Sequence, residues 1–171
     1  MSDTIESSNS PDSGSPAPRP GIMGIAPYVP GEAAIAGHAQ PAQLAANENS
    51  LGAGAAAVAA YREGAATLHR YPDSGALALT RAIGEIHGLD PARIVCGAGS
   101  DELLGLLGRG YAGEGDEVLY SAHGFLMYPI VARSVGAVPV KAAEVDLTAS
   151  VDNLLAAVTE RTRVVLLDNP N

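Results

Sequence analysis

Short apolar runs alternate with segments of helical periodicity between Arg93 and Asp168, and this alternation constrains the fold more than any other feature. The predicted strands are residues 93–96, 117–120, 138–142 and 163–168. The predicted helices between them are residues 101–112, 125–135 and 151–160. Such an alternation is typical of a parallel sheet that is covered on both faces. We therefore predict a three-layer α/β fold with a mostly parallel sheet.

Composition divides the chain into three segments, which are residues 1–20, 21–54 and 55–171. The first is rich in Ser, Pro, Asp and Gly, as in a disordered tail. The second predicts an extended arm with turns that ends in a loop. The third is predicted to be one domain. It begins with helices over residues 55–66 and about 75–87, and Ser74 is positioned to cap the second helix.

Composition and charge exclude several classes of protein. At 171 residues with 47% hydrophobic content, the chain can bury one sizeable core. A net charge of −9 argues against nucleic-acid binding, which needs basic patches. No apolar run approaches the ~18–20 residues of a membrane span. The single cysteine, Cys96, and the lack of a signal peptide indicate the cytoplasm.

A glycine turn at Gly97-Ala-Gly-Ser-Asp-Glu102 follows the first predicted strand and opens a helix. The unpaired N–H groups and partial positive charge of a helix N-terminus make this turn a candidate phosphate site. It does not match a dinucleotide fingerprint, because Glu102 occupies the position of the third glycine. A plain turn capped by Ser100 is the alternative interpretation.

Five motifs occur in an order that carries more information than any one of them. They are Leu44-Ala-Ala-Asn-Glu-Asn49, Arg70-Tyr-Pro-Asp73, Gly97-Ala-Gly-Ser-Asp-Glu102, Phe125-Leu-Met-Tyr128 and Asp168-Asn-Pro-Asn171. The series resembles the first half of the histidinol-phosphate aminotransferases, which are pyridoxal-phosphate-dependent enzymes of the aspartate-aminotransferase fold, fold type I. The resemblance covers roughly residues 22–171. It implies an incomplete large domain of that fold.

The resemblance also implies which residues bind the cofactor, pyridoxal 5′-phosphate. Gly99, Ser100 and Asp101 would hold its phosphate at the helix N-terminus. Phe125 falls where the family places an aromatic ring, often tyrosine, that stacks on the pyridine ring. Its alternative role is that of a core aromatic residue. Tyr71 matches a tyrosine that reaches the neighbouring subunit's site in the family's homodimer, or else it packs in its own turn against Pro72.

Two further residues match the family's substrate side. Tyr28 matches a tyrosine that helps to bind the substrate's phosphate, and a phenol can donate a hydrogen bond without adding charge. It could instead be a surface residue of the arm. Asn47 lies in the substrate-side loop, where an Asx turn is an equally ordinary role. The histidines and Cys96 have no metal-ligand spacing, so no metal site is predicted.

Lys141 is the only lysine in the chain. Transamination needs a lysine that forms a Schiff base with the cofactor, and the resemblance places that lysine downstream of residue 171. It also places there the aspartate on the pyridinium nitrogen and the arginine for the substrate carboxylate. The run Val164–Leu167 is typical of a buried strand, yet it lies close to Asn171. We therefore expect an N-terminal fragment that contains no catalytic residue and is inactive alone.

The expected activity of the full-length protein is amino transfer between histidinol phosphate and 2-oxoglutarate in histidine biosynthesis, with imidazole acetol phosphate and glutamate as the other pair. Its expected partners are the phosphorylated amino substrate, glutamate and a second copy of itself. A related fold-type I aminotransferase or phospho-amino-acid decarboxylase is the alternative within the same fold. A non-enzymatic phosphate-binding module is the alternative from another class.

Overall fold

A computed structural model describes residues 17–28, 36–37 and 48–169 of the chain. The chain forms two compact units. One unit takes its described residues from Met1–Pro27 and Ser100–Asn171, and the other takes them from Tyr28–Gly99. The predicted tail falls almost entirely outside the described residues, so its disorder stays a prediction.

The Tyr28–Gly99 unit contains two α-helices among its described residues, α1 over Ala55–Gly64 and α2 over Leu77–His87. Both helices were predicted, but the expected cap at Ser74 is wrong. The carboxylate of Asp73 instead accepts hydrogen bonds from the N–H groups of Gly75 and Leu77, at 3.0 and 2.8 Å. A carboxylate at a helix start satisfies unpaired N–H groups and complements the helix dipole, so it outcompetes a hydroxyl.

The predicted strand at residues 93–96 is also wrong within the described part of the chain. Pro91–Arg93 form a 3₁₀ turn, and the Asp90 carboxylate accepts a hydrogen bond from Ala92 N–H at 3.0 Å. Ile94 then has an extended backbone, but no described strand pairs with this segment. An apolar run becomes a strand only where a neighbouring strand accepts its hydrogen bonds.

The Ser100–Asn171 part of the other unit has the predicted alternation of helices and strands. Its elements are α3 (Ser100–Tyr111), β1 (Glu117–Ser121), α4 (Met127–Ser134), β2 (Val138–Ala142), α5 (Val151–Ala157) and β3 (Thr162–Leu166). Both α4 and α5 are shorter than predicted. Helix α5 ends early because Thr162 Oγ1 accepts a hydrogen bond from Thr159 N–H at 2.9 Å, which starts the turn into β3.

The three strands are parallel, in the order β2-β1-β3, and all five residues of the central strand β1 are buried. On one face of β1, Val118 and Tyr120 pack with Tyr128 and Ala132 of α4. On the other face, Leu119 packs with Leu154 of α5. The alternation of side chains along a strand therefore covers the sheet with a helix on each face, which confirms the predicted α/β class.

Glu117 joins β1 to β3 at the amino edge of the sheet, where the side chain is buried. Its carboxylate accepts hydrogen bonds from Thr159 Oγ1 at 2.6 Å and from the guanidinium of Arg161. The bond from Thr159 is the main cause that lowers the pKa of Glu117, and Arg161 adds to it against the opposing effect of burial. This carboxylate therefore holds two strands together on the edge opposite to the predicted site.

Within the described ranges, no helix has the length and apolar character needed to cross a membrane.

Candidate functional site

Helix α3 begins at Ser100, as the phosphate-site prediction requires. Gly99, directly before it, has a φ of +88°, and a Cβ there would meet no atom within 4 Å. Ser100 and Asp101 are both exposed. Asp101 and Glu102 add negative charge to this first turn. The backbone N–H groups and the Ser100 hydroxyl are the donors at this turn, and the role of Asp101 beside a phosphate stays a prediction.

Phe125 lies in the loop of residues 122–126, which follows the carboxyl end of β1. Its side chain is half-buried and packs against the core cluster around Tyr128. The ring centroids of Phe125 and Tyr128 are 6.0 Å apart, and the rings are nearly perpendicular at 85°. Leu104, in the first half of α3, packs against the same cluster. Helix α3, through Leu104, and the Phe125 loop thus pack on one core.

Asp168, two residues beyond β3, holds the Phe125 loop and the first turn of α4 together. One carboxylate oxygen accepts a hydrogen bond from Phe125 N–H at 2.9 Å, and the other accepts one from the hydroxyl of Tyr128. Burial, followed by the bond to Asp168 and its negative charge, raises the pKa of Tyr128 to about 12. The sequence analysis identified Asp168 only as part of a motif. Its position just after a parallel strand was the available signal, because such strands all end at one edge.

A second carboxylate, that of Glu144, bonds to the same loop from the β2 side. Its oxygens lie 2.9 Å from His123 N and 2.6 Å from His123 Nδ1. The Glu144 side chain is only 3% exposed, whereas that of His123 is 64% exposed. The histidine therefore covers a buried carboxylate. Sequence reasoning interpreted His123 as a residue that lines the cofactor cleft, without a catalytic role, and it did not identify Glu144, because 21 residues separate the two.

A cavity of about 350 Å³ opens beside the Phe125 loop. Its lining includes Tyr120, His123, Phe125 and Lys141. Lys141 is on β2, paired in register with Tyr120 of β1, and is exposed. The cavity thus combines aromatic surface with one amine and one imidazole. No cluster of His, Cys, Asp and Glu within the described ranges could hold a metal ion.

The remaining predicted site residues belong to the Tyr28–Gly99 unit or lie outside the described residues. The Tyr71 side chain is fully exposed, so it does not pack against Pro72 as the alternative required. Tyr28 is 47% exposed. Asn47 is outside the described residues. In the same loop, Asn49 makes an Asx turn, with its Oδ1 accepting a hydrogen bond from Leu51 N–H at 3.1 Å.

Residues 40–171 match the family described as Aminotransferase class I and II. The chain is 64% identical over 156 residues to the histidinol-phosphate aminotransferase of Paramagnetospirillum magneticum, which covers 91% of this chain and 43% of that protein. It is 58% identical over 156 residues to the enzyme of the same name from Rhodospirillum rubrum, covering 91% of this chain and 42% of the relative. The chain therefore spans less than half the length of these curated relatives.

Solved structures show the same fold. The crystal structure of histidinol-phosphate aminotransferase from Sinorhizobium meliloti in complex with pyridoxal-5′-phosphate matches 68% of this chain and 32% of its own, with a TM-score of 0.65 and 29% identity. Aspartate aminotransferase from Thermus thermophilus matches 74% of this chain and 36% of its own, with a TM-score of 0.63 and 21% identity. Fold type I, the predicted class, is thereby confirmed.

Proposed function

The chain belongs to the class I and II aminotransferase family, and from this premise we propose that the whole protein is a pyridoxal-phosphate-dependent histidinol-phosphate aminotransferase. It would transfer the amino group between histidinol phosphate and 2-oxoglutarate, a step of histidine biosynthesis. The observation that carries this proposal is the 64% identity over 156 residues to a relative of that name. A biosynthetic reaction on small charged metabolites places the protein in the cytoplasm in this proposal.

The residues at the carboxyl edge of the sheet fit the proposed cofactor by the chemistry of their donors. The first turn of α3 offers its backbone N–H groups and the Ser100 hydroxyl to a phosphate. Gly99, at a φ of +88°, leaves open space where a side chain would otherwise stand. Phe125 offers a half-buried aromatic ring, and its loop is hydrogen-bonded at the backbone N–H groups of His123 and Phe125. Phosphate donors and a flat ring are the two features that a phosphorylated pyridine requires.

Bound pyridoxal phosphate would supply the electron-withdrawing ring on which the amino group is carried. The role of this chain is to bind and orient that ring. Ser100 and the first N–H groups of α3 would hold its phosphate end, and Phe125 would pack against its ring. We assign no covalent role to Lys141, because the family resemblance places the Schiff-base lysine downstream of residue 171.

Tyr28 and Tyr71 complete the proposal on the substrate side and at the subunit interface. Tyr71 is a fully exposed aromatic residue beside Arg70, and we propose that it reaches the site of a second copy in a homodimer. Exposed aromatic and arginine side chains are the residues that interfaces favour. Tyr28 and Asn47 are proposed to bind the phosphorylated substrate.

The proposal is tested with the whole purified protein and pyridoxal phosphate. Rates of amino transfer to 2-oxoglutarate are compared for histidinol phosphate, phenylalanine and phosphoserine. The proposal requires the highest kcat/KM for histidinol phosphate. A preference for phenylalanine would favour a related aminotransferase, release of carbon dioxide would favour a decarboxylase, and binding without turnover would favour a phosphate-binding module.

A matched pair of variants tests the phosphate role of Tyr28. Tyr28→Phe should raise KM for histidinol phosphate and leave KM for unphosphorylated amino acids unchanged, because only the hydroxyl is lost. Tyr61→Phe makes the same chemical change at an exposed position on α1 and serves as the control. An equal rise of KM for both kinds of substrate in Tyr28→Phe would remove Tyr28 from the phosphate site.

A further inference from the structure

The loop of residues 122–126 leaves the middle strand of the sheet and receives one carboxylate from each neighbouring strand. Glu144 follows β2 by two residues, and Asp168 follows β3 by two residues. Since parallel strands end at the same edge, both carboxylates reach the loop that follows β1. The bonds reach the loop at two backbone N–H groups, those of His123 and Phe125, at 2.9 Å each.

Asp168 is anchored outside the loop by Tyr128 of α4, whereas the second oxygen of Glu144 contacts the side chain of the loop residue His123. The hydroxyl of Tyr128 donates to Asp168, and Nδ1 of His123 lies 2.6 Å from Glu144 Oε2. Tyr128 is itself 6% exposed and packs edge-on against Tyr120, with ring centroids 5.9 Å apart. A hydrogen bond to a carboxylate is stronger than one between neutral groups, so these anchors resist displacement of the loop.

Gly124 lies between the two bonded residues and has little space around its Cα. A Cβ at this position would lie 3.1 Å from the carbonyl oxygen of Ser121 and 3.1 Å from Cδ2 of Tyr128. The loop backbone therefore lies directly against the Tyr128 ring. The loop is therefore bonded by the two carboxylates and packed against the Tyr128 ring.

We propose that Asp168 and Glu144 are positioning residues that fix the backbone of residues 122–126 and so hold the Phe125 ring ready for the flat ring of a ligand. This inference rests on the proposed function for the identity of that ligand. Ordering the ring before binding reduces the entropy that binding would otherwise cost. Neither carboxylate touches the ligand in this scheme, and each acts through the loop.

The first test measures the loop itself, without cofactor. Amide hydrogen exchange of residues 122–126 is compared in the wild-type whole protein, Asp168→Asn and Glu144→Gln. We expect the Phe125 amide to exchange roughly tenfold faster in Asp168→Asn, since a charge-assisted bond is lost. Asp152→Asn makes the same change at an exposed residue of α5 and should leave the loop unchanged. Unchanged exchange at Phe125 in Asp168→Asn would overturn the inference.

The second test asks whether the carboxylates act through Phe125. Affinity for pyridoxal phosphate and the absorbance of the bound cofactor are measured for Asp168→Asn, for Phe125→Ala and for the double variant. Asp168→Asn should weaken binding by about tenfold alone and have little further effect when Phe125 is already alanine. If the losses of affinity in the two single variants add fully in the double variant, Asp168 does not act through the Phe125 ring.

The outcomes separate the two proposals. A wild-type protein that binds no pyridoxal phosphate contradicts the proposed function, and the exchange experiment still decides whether the carboxylates order the loop. A wild-type protein that binds the cofactor, with Asp168→Asn binding it equally well, contradicts only the inference. If Asp168→Asn does not fold, Tyr128→Phe removes the anchor of Asp168 alone, and faster exchange at Phe125 is then the required result.

Discussion

The close approach of α3 to α4 can be tested by adding one methyl group at Gly108. A Cβ at this position would lie 2.7 Å from Val131 Cγ1 and 3.6 Å from Val135 Cγ1. Gly108 is buried, and Val131 is only 4% exposed, so the valine has no open space to enter. A helical valine also has one strongly preferred rotamer, so the helices themselves must separate.

The magnitude follows from two opposing terms in the free energy of unfolding. Replacing a helix-interior glycine with alanine stabilises by about 1 kcal/mol. Inserting a methyl group into a well-packed site costs roughly 1–3 kcal/mol. We therefore expect Gly108→Ala to lower the free energy of unfolding by about 1 kcal/mol, the middle of the difference between the terms.

Gly110 on the same helix provides the matched control. It is exposed, and a Cβ there would meet no atom within 4 Å, so Gly110→Ala should only stabilise. The helix-propensity term is common to both variants, and the difference between them, roughly 1–3 kcal/mol, isolates the contact. Urea unfolding of the whole protein, followed by circular dichroism at one fixed cofactor concentration, measures it. Equal stabilisation by both substitutions would refute the argued contact.

Three further predictions concern the titration of Glu117 and Tyr128 and the reactivity of Lys141. The hydrogen bonds that lower the pKa of Glu117 stabilise the fold at pH values above 4.5, the ordinary pKa of a glutamate, and this stabilisation is lost as the pH falls below 4.5. Glu117→Gln should therefore make the unfolding midpoint less dependent on pH in the acid range. The raised pKa of Tyr128 has the opposite effect on stability, because the stabilisation that it contributes is lost as the pH rises from 10 to about 12. Tyr128→Phe should remove the tyrosinate absorbance step near pH 12. Borohydride reduction should fix no more pyridoxal phosphate on Lys141 in the folded protein than in urea, as read by peptide mass spectrometry. Selective labelling of the folded state would contradict our assignment.

The alternation of apolar runs with helical segments predicted the sheet and its helices, because the spacing of apolar residues within a short segment reflects which of its faces is buried. Strand β2 has the predicted bounds, and α3 begins one residue before its predicted start. The segment at residues 93–96 failed for the converse reason, since an apolar run does not reveal whether a partner strand is present. Ser74 failed because Asp73 competes for the same N–H groups.

The site was predicted less completely than the fold, because hydrogen bonds between residues far apart in the sequence hold its loop in place. Phe125 was found through a motif, whereas the carboxylates that bond to its loop lie 21 and 43 residues beyond their partners. No local pattern encodes such a pair. The topology rule that parallel strands end at one edge could have placed Asp168 near Phe125, since Asp168 ends one predicted strand and Phe125 follows another. It could not have shown which oxygen bonds to which N–H group.

Helix α4 links the stability contact to the candidate site, because it is restrained in its first turn and again near its middle. Tyr128, in its first turn, donates a hydrogen bond to Asp168, and Val131, one turn later, meets Gly108 of α3. A helix is rigid over so short a distance, so separating α3 from α4 at Gly108 must also move the residue that anchors Asp168. Gly108→Ala should therefore speed hydrogen exchange at the Phe125 amide, although Gly108 touches neither the loop nor its carboxylates. Exchange that stays at the wild-type rate, in a variant with the expected loss of stability, would show that the loop is held independently of the helix.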